Sequence, residues 1–354
     1  MPEVFLSAAL VSYHFKGTFI MSENRQILID SLPTGKLEAS NYQMVSSAIP
    51  EPQENEVLCR TLWVTVAAGA RAGLQGSASY AGAPTTGVVM NGAAIARVEK
   101  SRSGDYKNGD LVVCNAGWQD YSVHNAKELR KVEGAVAPVH HLGVLGTNGL
   151  TAYFGLLDIG KPQPGQTVLV SASGGSVGHI VAQLAKLKGC RVVGTASSDA
   201  KALRLTQQLG IDVVVNYRSP DFRQLLKEAT SDGIDVYFDN TGGDILGSAL
   251  FRMNEHGRIA CCGVVSQYDT SNPSPGPRGI PGLLVNKRIT MSGFLVFDFA
   301  DRYAEAKEQL SAWIQSGDLD PIVDEIDGLE NAPEAFVDML AGGNIGTRVI
   351  KVAE

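Results

Sequence analysis

The residues best suited to chemistry form a turn of small side chains, Ala172-Ser-Gly-Gly-Ser-Val-Gly178. It follows an apolar strand-like run, Thr167-Val-Leu-Val-Ser171. It precedes a segment, His179 to Lys188, that with Val177 in front has one apolar helical face at Val177, Ile180, Val181, Leu184 and Leu187. Such a turn can bind an anion. A pyrophosphate rests on the free N–H groups that open a helix only if the preceding turn is tight and carries no bulk. Ala172, Gly175 and Gly178 make an AxxGxxG version of the dinucleotide fingerprint. Gly175 lets the backbone approach the phosphates, Gly178 lets helix and strand pack closely, and Ser176 and Val177 complete the candidate cofactor contacts of the turn. Gly189 ends the helix, and Arg191-Val-Val-Gly194 reads as the next strand.

The choice of nucleotide follows from what that strand end lacks. An NAD site places a carboxylate there to bond the ribose 2′-hydroxyl and repel a 2′-phosphate. Here the chain reads Gly194-Thr-Ala-Ser197-Ser198, and Asp199 comes late, where a carboxylate favours a helix N-terminus. Ser197, Lys201 and Tyr217-Arg218 surround an uncharged strand end with cations nearby, which suits NADP(H). Elsewhere Lys201 and Arg218 would read as ordinary solvated charges.

Two larger patterns must position these groups. From Arg25 to about Leu142 the sequence is β-rich and broken by turns, and reads as a β-barrel-like domain. From residue 143 strands and helices alternate: helix 200–209, strand 212–216, helix 221–229, strand 234–240, helix 244–251, strand 258–262, strand 289–295 and helix 301–315. That alternation implies a doubly wound parallel sheet of the Rossmann type, whose strand C-termini face the ligand crevice. The rule selects Asn240-Thr-Gly-Gly243 and Gly263-Val-Val-Ser-Gln-Tyr268. Between Asp269 and Pro281 the Pro/Gly-rich stretch reads as a lid, a dimer contact or a plain surface loop. Beyond residue 316 a strand (322–324), a helix capped by Asn331 and a final strand (348–352) form a tail too short for a domain, expected to return to the first one. The expected divisions are 21–142, 143–316 and 317–354, with 1–20 as an extension outside the fold.

At 354 residues the chain can bury a large core. A net charge of −7 argues against a nucleic-acid or anionic-membrane surface, and no apolar run is long enough to span a bilayer. The five cysteines, Cys59, Cys114, Cys190, Cys261 and Cys262, show no ligand spacing and suggest reduced, buried thiols in a cytoplasmic protein. No metal site is readable.

Several longer motifs carry a family likeness: Gly117-Trp-Gln-Asp-Tyr121, Gly149-Leu-Thr-Ala-Tyr-Phe-Gly155, Tyr237-Phe-Asp-Asn-Thr-Gly-Gly243, Cys262-Gly-Val-Val-Ser-Gln-Tyr268, Gly293-Phe-Leu-Val-Phe-Asp298 and Asn344-Ile-Gly346. On these, the chain from Asn24 to Val352 resembles the zinc-independent medium-chain dehydrogenase/reductases, in the branch of NADPH-dependent alkenal double-bond reductases and prostaglandin reductases. The resemblance implies a GroES-like catalytic domain built from both chain ends, an inserted Rossmann domain, and a homodimer. It places 2′-phosphate contacts on Lys201 and Tyr217 and nicotinamide contacts on Asn240 and Asn344. Further cofactor contacts fall on Cys262, Gly263, Phe294 and Val296, and the active-site tyrosine on Tyr268. The implied reaction is reduction of the C=C bond of an α,β-unsaturated aldehyde or ketone, with the Tyr268 hydroxyl at the carbonyl oxygen.

The chain also departs from the family. Where relatives read VDPYMRG it has Val66-Ala-Ala-Gly69-Ala-Arg71-Ala72, so Gly69 stands where a second pocket tyrosine belongs. Thr147-Asn148 replaces Met-Pro, and Thr347 replaces a lysine. A wider, less aromatic pocket at Gly69 and Thr147 is expected, with hydrogen bonding resting mainly on Tyr268. Quinone reduction and NADPH binding without turnover stay open as alternatives.

Overall fold

The computed structural model describes residues 23–76, 83–272 and 276–354. The expected extension over 1–20, and part of the Pro/Gly-rich stretch, lie outside the described residues.

Strands β1 (Glu23–Ile29) and β2 (Tyr42–Ala48) pair antiparallel. Then β3 (Glu56–Thr65), β4 (Ala94–Ser101), β5 (Leu111–Cys114), β6 (Tyr121–Asn125) and β7 (Arg130–Lys131) build a second, mostly antiparallel sheet. Helix α1 (Ala68–Gln75) follows β3 directly and ends on Gly76, whose φ of 66° is the left-handed conformation that glycine adopts without strain.

Helix α2 (Thr147–Phe154) opens the second half and runs into a π-helical turn at Gly155–Gly160. A Cβ on Gly155 would fall 2.3 Å from the Phe294 ring and 2.7 Å from Phe238, so glycine is required for those rings to seat against the helix. Six parallel strands follow: β8 (Thr167–Val170), β9 (Arg191–Ala196), β10 (Val213–Asn216), β11 (Ile234–Asp239), β12 (Met253–Cys261) and β13 (Thr290–Gly293). Their order is β10-β9-β8-β11-β12-β13. This is the doubly wound dinucleotide topology, so the expected fold class holds. All four residues of β8 are buried, as a central strand covered on both faces requires. The crossovers are α3 (Gly178–Leu187), α4 (Asp199–Leu209), α5 (Phe222–Ala229), α6 (Gly243–Arg252) and α7 (Ile280–Lys287), with α8 (Tyr303–Ser316) after β13.

Two local expectations need correcting. Helix α7 begins before the expected end of the Pro/Gly-rich loop at Pro281, because proline in a first turn loses no hydrogen bond. Strand β12 begins five residues early, and a bulge shifts its register between Ile234 and Val236. Asp199 opens α4 as expected, and Ser198 before it caps the helix, its Oγ accepting from the Lys201 N–H at 3.2 Å.

The tail forms β14 (Val323–Asp327), α9 (Ala332–Leu340) and β15 (Thr347–Lys351). Strand β15 pairs with β3 and with β14, so the chain end completes the sheet that β3 began. Phe336 of α9 meets buried Trp118 edge-on at 6.0 Å, locking the tail to that sheet's core. Asn331 precedes α9 without capping it, since its side-chain amide donates to the Asp327 carbonyl at 2.7 Å.

Candidate active site

The turn after β8 has the geometry of an anion cradle. Ala172 adopts φ 49° and donates its N–H to Thr195 Oγ1 on β9 at 3.2 Å, and Gly175 closes the turn on the Ala172 carbonyl at 2.8 Å. A Cβ on Gly178 would stand 2.2 Å from the Ala172 oxygen, so no larger residue fits where α3 leaves the sheet. The N–H groups of Ser176, Val177 and Gly178 have no hydrogen-bond acceptor among the described residues. They lie at the positive end of a ten-residue helix, which suits a pyrophosphate.

His179 holds this turn from behind. Its Nδ1–H donates to the Gly175 carbonyl at 2.9 Å, and its Nε2 accepts from the Ile322 N–H at 3.3 Å, which fixes the neutral tautomer. Complete burial pushes its pKa from 6.5 down to about 4. An unfolded chain binds this proton below pH 6.5 and the folded chain only below about 4, so stability is full above that window and falls as pH drops through it. Urea unfolding at pH 7 and at pH 4 is expected to differ by up to about 3 kcal/mol from this group. His179→Gln should flatten that difference.

The second cluster closes on the far side of β9. Lys201 Nζ donates to the carbonyls of Gly342, at 3.3 Å, and Asn344. Ser197 Oγ donates to Gly342 at 2.9 Å and Arg218 Nη2 to Ala341 at 2.7 Å, while the Arg218 guanidinium lies 5.7 Å from the Tyr217 ring centre. Burial, with Arg348 nearby, lowers the Lys201 pKa to about 8. The nearest carboxylate in sequence, Asp199, is turned onto the Asn216 amide at 3.1 Å. The nearby Asp324 and Asp338 carboxylates are each engaged by Arg348, and a cationic pocket of this kind fits a 2′-phosphate.

At the C-termini of β11 and β12 the polar groups are rigid. Asn240 donates its N–H to Ser171 Oγ at 2.9 Å and its Nδ2 to the Ser171 carbonyl at 2.8 Å, leaving Oδ1 as an acceptor. The buried Asp239 carboxylate accepts from Tyr237 Oη (2.7 Å), Gly242 N–H (2.8 Å), Thr241 N–H (3.0 Å) and Ser171 Oγ (3.3 Å). Ser171 and Asp239 thus set the direction of Asn240. Sequence reading passed over both, although each ends a strand at the crevice. Tyr268 closes a short turn over Val265–Gln267, and its hydroxyl lies 3.7 Å from where a Cβ of Gly263 would stand, over the C-termini of β11 and β12.

Asn344 donates its side-chain amide to Gly346 O at 2.9 Å, which also receives Ser176 Oγ at 3.3 Å. This ties Asn344 to the phosphate turn through Gly346. Val296 is buried in the core with its carbonyl bonded by Tyr303, and Phe294 is half-buried against Phe238. Cys261 and Cys262 are half-buried rather than buried, because they reach the crevice edge. Burial, with the Asp239 carboxylate near, pushes their thiols up to about 11 and about 12, so neither serves as a thiolate near neutrality. Around Gly69 on α1 nothing among the described residues lies within 4 Å of a Cβ position, and Thr147 is exposed at the start of α2. A cavity of about 410 Å³ beside β1 and β6 contains none of these residues, and its Asn24, Gln26, Gln119, Ser122 and His124 side chains bond one another or nearby backbone.

Residues 25–132 match the family described as the N-terminal domain of oxidoreductase, and residues 176–315 the family described as zinc-binding dehydrogenase. Among the described residues no three His, Cys, Asp or Glu side chains stand together to hold a metal ion. The NADPH-dependent curcumin reductase of Escherichia coli is 38% identical over 93% of this chain and 97% of its own. The NADP(+)-dependent 2-alkenal reductase of Nicotiana tabacum is 35% identical over 93% and 98%. The crystal structure of CurA from Vibrio vulnificus in complex with NADPH superposes with a TM-score of 0.89 at 36% identity, covering 93% of this chain and 99% of that one. The chain therefore belongs to the zinc-independent medium-chain dehydrogenase/reductases, in the branch of NADPH-dependent alkenal and prostaglandin reductases.

Proposed function

We propose that this protein reduces the C=C bond of α,β-unsaturated aldehydes and ketones with NADPH, and that Tyr268 is its catalytic residue. The observation that carries the reading is the Tyr268 hydroxyl over the C-termini of β11 and β12, beside Gly263 and the fixed Asn240. Bound NADPH supplies the hydride for the β-carbon. Ser176, Val177 and Gly178 hold the pyrophosphate, Ser197, Lys201 and Tyr217 the 2′-phosphate, and the Asn240 Oδ1 accepts from the carboxamide. Tyr268 donates a hydrogen bond to the substrate carbonyl oxygen, where negative charge grows as the β-carbon is reduced. Protonation at the α-carbon comes from solvent or from that hydroxyl.

The space that the described residues leave at Gly69 favours a second reading, reduction of flat quinones in a wide pocket. The edge strand β13, near the exposed Leu295, Phe297 and Val285, supports a homodimer joined at that edge. Five free cysteines suit the reducing cytoplasm.

The test is NADPH consumption with cyclohexenone, a 2-alkenal and a naphthoquinone, with NADH as control and the product identified. A saturated carbonyl product is expected. Turnover of the quinone alone would replace the first reading by the second, and NADPH binding without any turnover would sink both.

A further inference from the structure

Tyr268 is followed by Asp269, and the Asp269 carboxylate crosses from the Rossmann sheet to the other half of the molecule. Its Oδ1 accepts from the Leu37 N–H at 2.6 Å and from Arg71 Nε at 3.1 Å. Arg71 Nη2 in turn donates to the Gly35 carbonyl at 2.6 Å. Gly35 and Leu37 lie between β1 and β2, and Arg71 lies on α1 two positions after Gly69. Arg71 is 1% exposed, and its Nη1 has no partner among the described residues. An exposed ion pair would fix little. A guanidinium this deep depends on its carboxylate, because losing one partner leaves an uncompensated buried charge.

The segment before Tyr268 is anchored the other way. Val265 N–H donates to Asn240 O at 3.2 Å, and Ser266 donates its N–H (3.2 Å) and Oγ (2.6 Å) to Thr241 O. Tyr268 is therefore the residue that spans two anchors, one on the strand that carries Asn240 and one on the helix that carries the open Gly69 position.

We propose that the Arg71–Asp269 pair is a positioning device for the Tyr268 hydroxyl, setting its distance from the α1 wall of the substrate cleft. Neither residue acts on substrate directly. A displacement of about 1 Å at a reacting group costs up to about 100-fold in rate, so the pair contributes through the tyrosine alone. The inference rests on the catalytic reading of Tyr268.

The experiment is a double-mutant cycle on the full-length protein: Asp269→Ala, Tyr268→Phe and the two combined, with kcat and KM for cyclohexenone, the NADPH dissociation constant and the melting temperature measured for each. Asp269→Ala is expected to lower kcat about 10- to 100-fold with NADPH affinity within about 2-fold, and to cost less than about 3-fold more in the Tyr268→Phe background. Asp269→Asn, which keeps an acceptor for Leu37, gives the same reading with a smaller loss, and replaces the alanine variant should that one not fold. Equal losses in both backgrounds, or an unchanged kcat in Asp269→Ala beside an impaired Tyr268→Phe, would overturn the proposal. An unimpaired Tyr268→Phe would instead overturn the catalytic reading beneath it.

Discussion

Replacing Tyr268 by phenylalanine is expected to lower kcat for a small enone by about 10²–10³-fold, leaving the NADPH dissociation constant within about 2-fold. The size follows from where the charge goes. When the β-carbon is reduced, the carbonyl oxygen becomes anionic, and a donor already aimed at that oxygen stabilises the transition state more than the ground state. Gly69 stands where a second pocket phenol is expected, and among the described residues nothing lies within 4 Å of its Cβ position. Water entering that space replaces part of the lost bond, which argues for the lower end of the range. Steady-state kinetics with NADPH saturating decide the matter. A loss of only a few-fold would remove Tyr268 from the chemistry and shift attention to solvent or the nucleotide ribose as donor.

Lys201→Ala is expected to weaken NADPH binding by about 10- to 150-fold while leaving NADH within about 3-fold, so that the preference between them largely disappears. A charge-assisted hydrogen bond to a phosphate is worth about 1.5–3 kcal/mol, and only the phosphorylated nucleotide can make it. In the free protein the ammonium is held by the Gly342 and Asn344 carbonyls, and burial has lowered its pKa to about 8. The sign of the pH dependence follows. Below pH 8 the lysine is charged and ready for the phosphate, whereas above pH 8 binding must first take up a proton. NADPH affinity should therefore fall by up to about tenfold per pH unit above that point, and Lys201→Ala should abolish the slope. Fluorescence titration between pH 7 and 9.5 measures both; a flat wild-type profile would show that Lys201 does not meet the 2′-phosphate.

What the chain order alone determined is whatever depends on neighbours in sequence. The turn Ala172–Gly178 is legible because its constraint is steric and local, with Gly178 required by an oxygen only six residues earlier. The doubly wound sheet is legible because burial on both faces writes continuous apolar runs such as Thr167–Val170. The uncharged end of β9 needed only the absence of a carboxylate at Ser197–Ser198 to point toward NADP(H).

The tertiary structure decided what depends on residues far apart. Asn344 could be assigned a place only when Gly346 and Ser176 came together across 170 residues. Asn240 has no direction until Ser171 meets it from β8. Arg71 and Asp269, 198 residues apart, are unconnected in the sequence and become an ion pair on a buried guanidinium in the fold. Sterics and periodicity act over a few residues and leave a repeating trace, whereas a long-range hydrogen bond is one pairing among many that the same residue types allow. Only the packing of α1 and the β1–β2 loop against the end of β12 selects it.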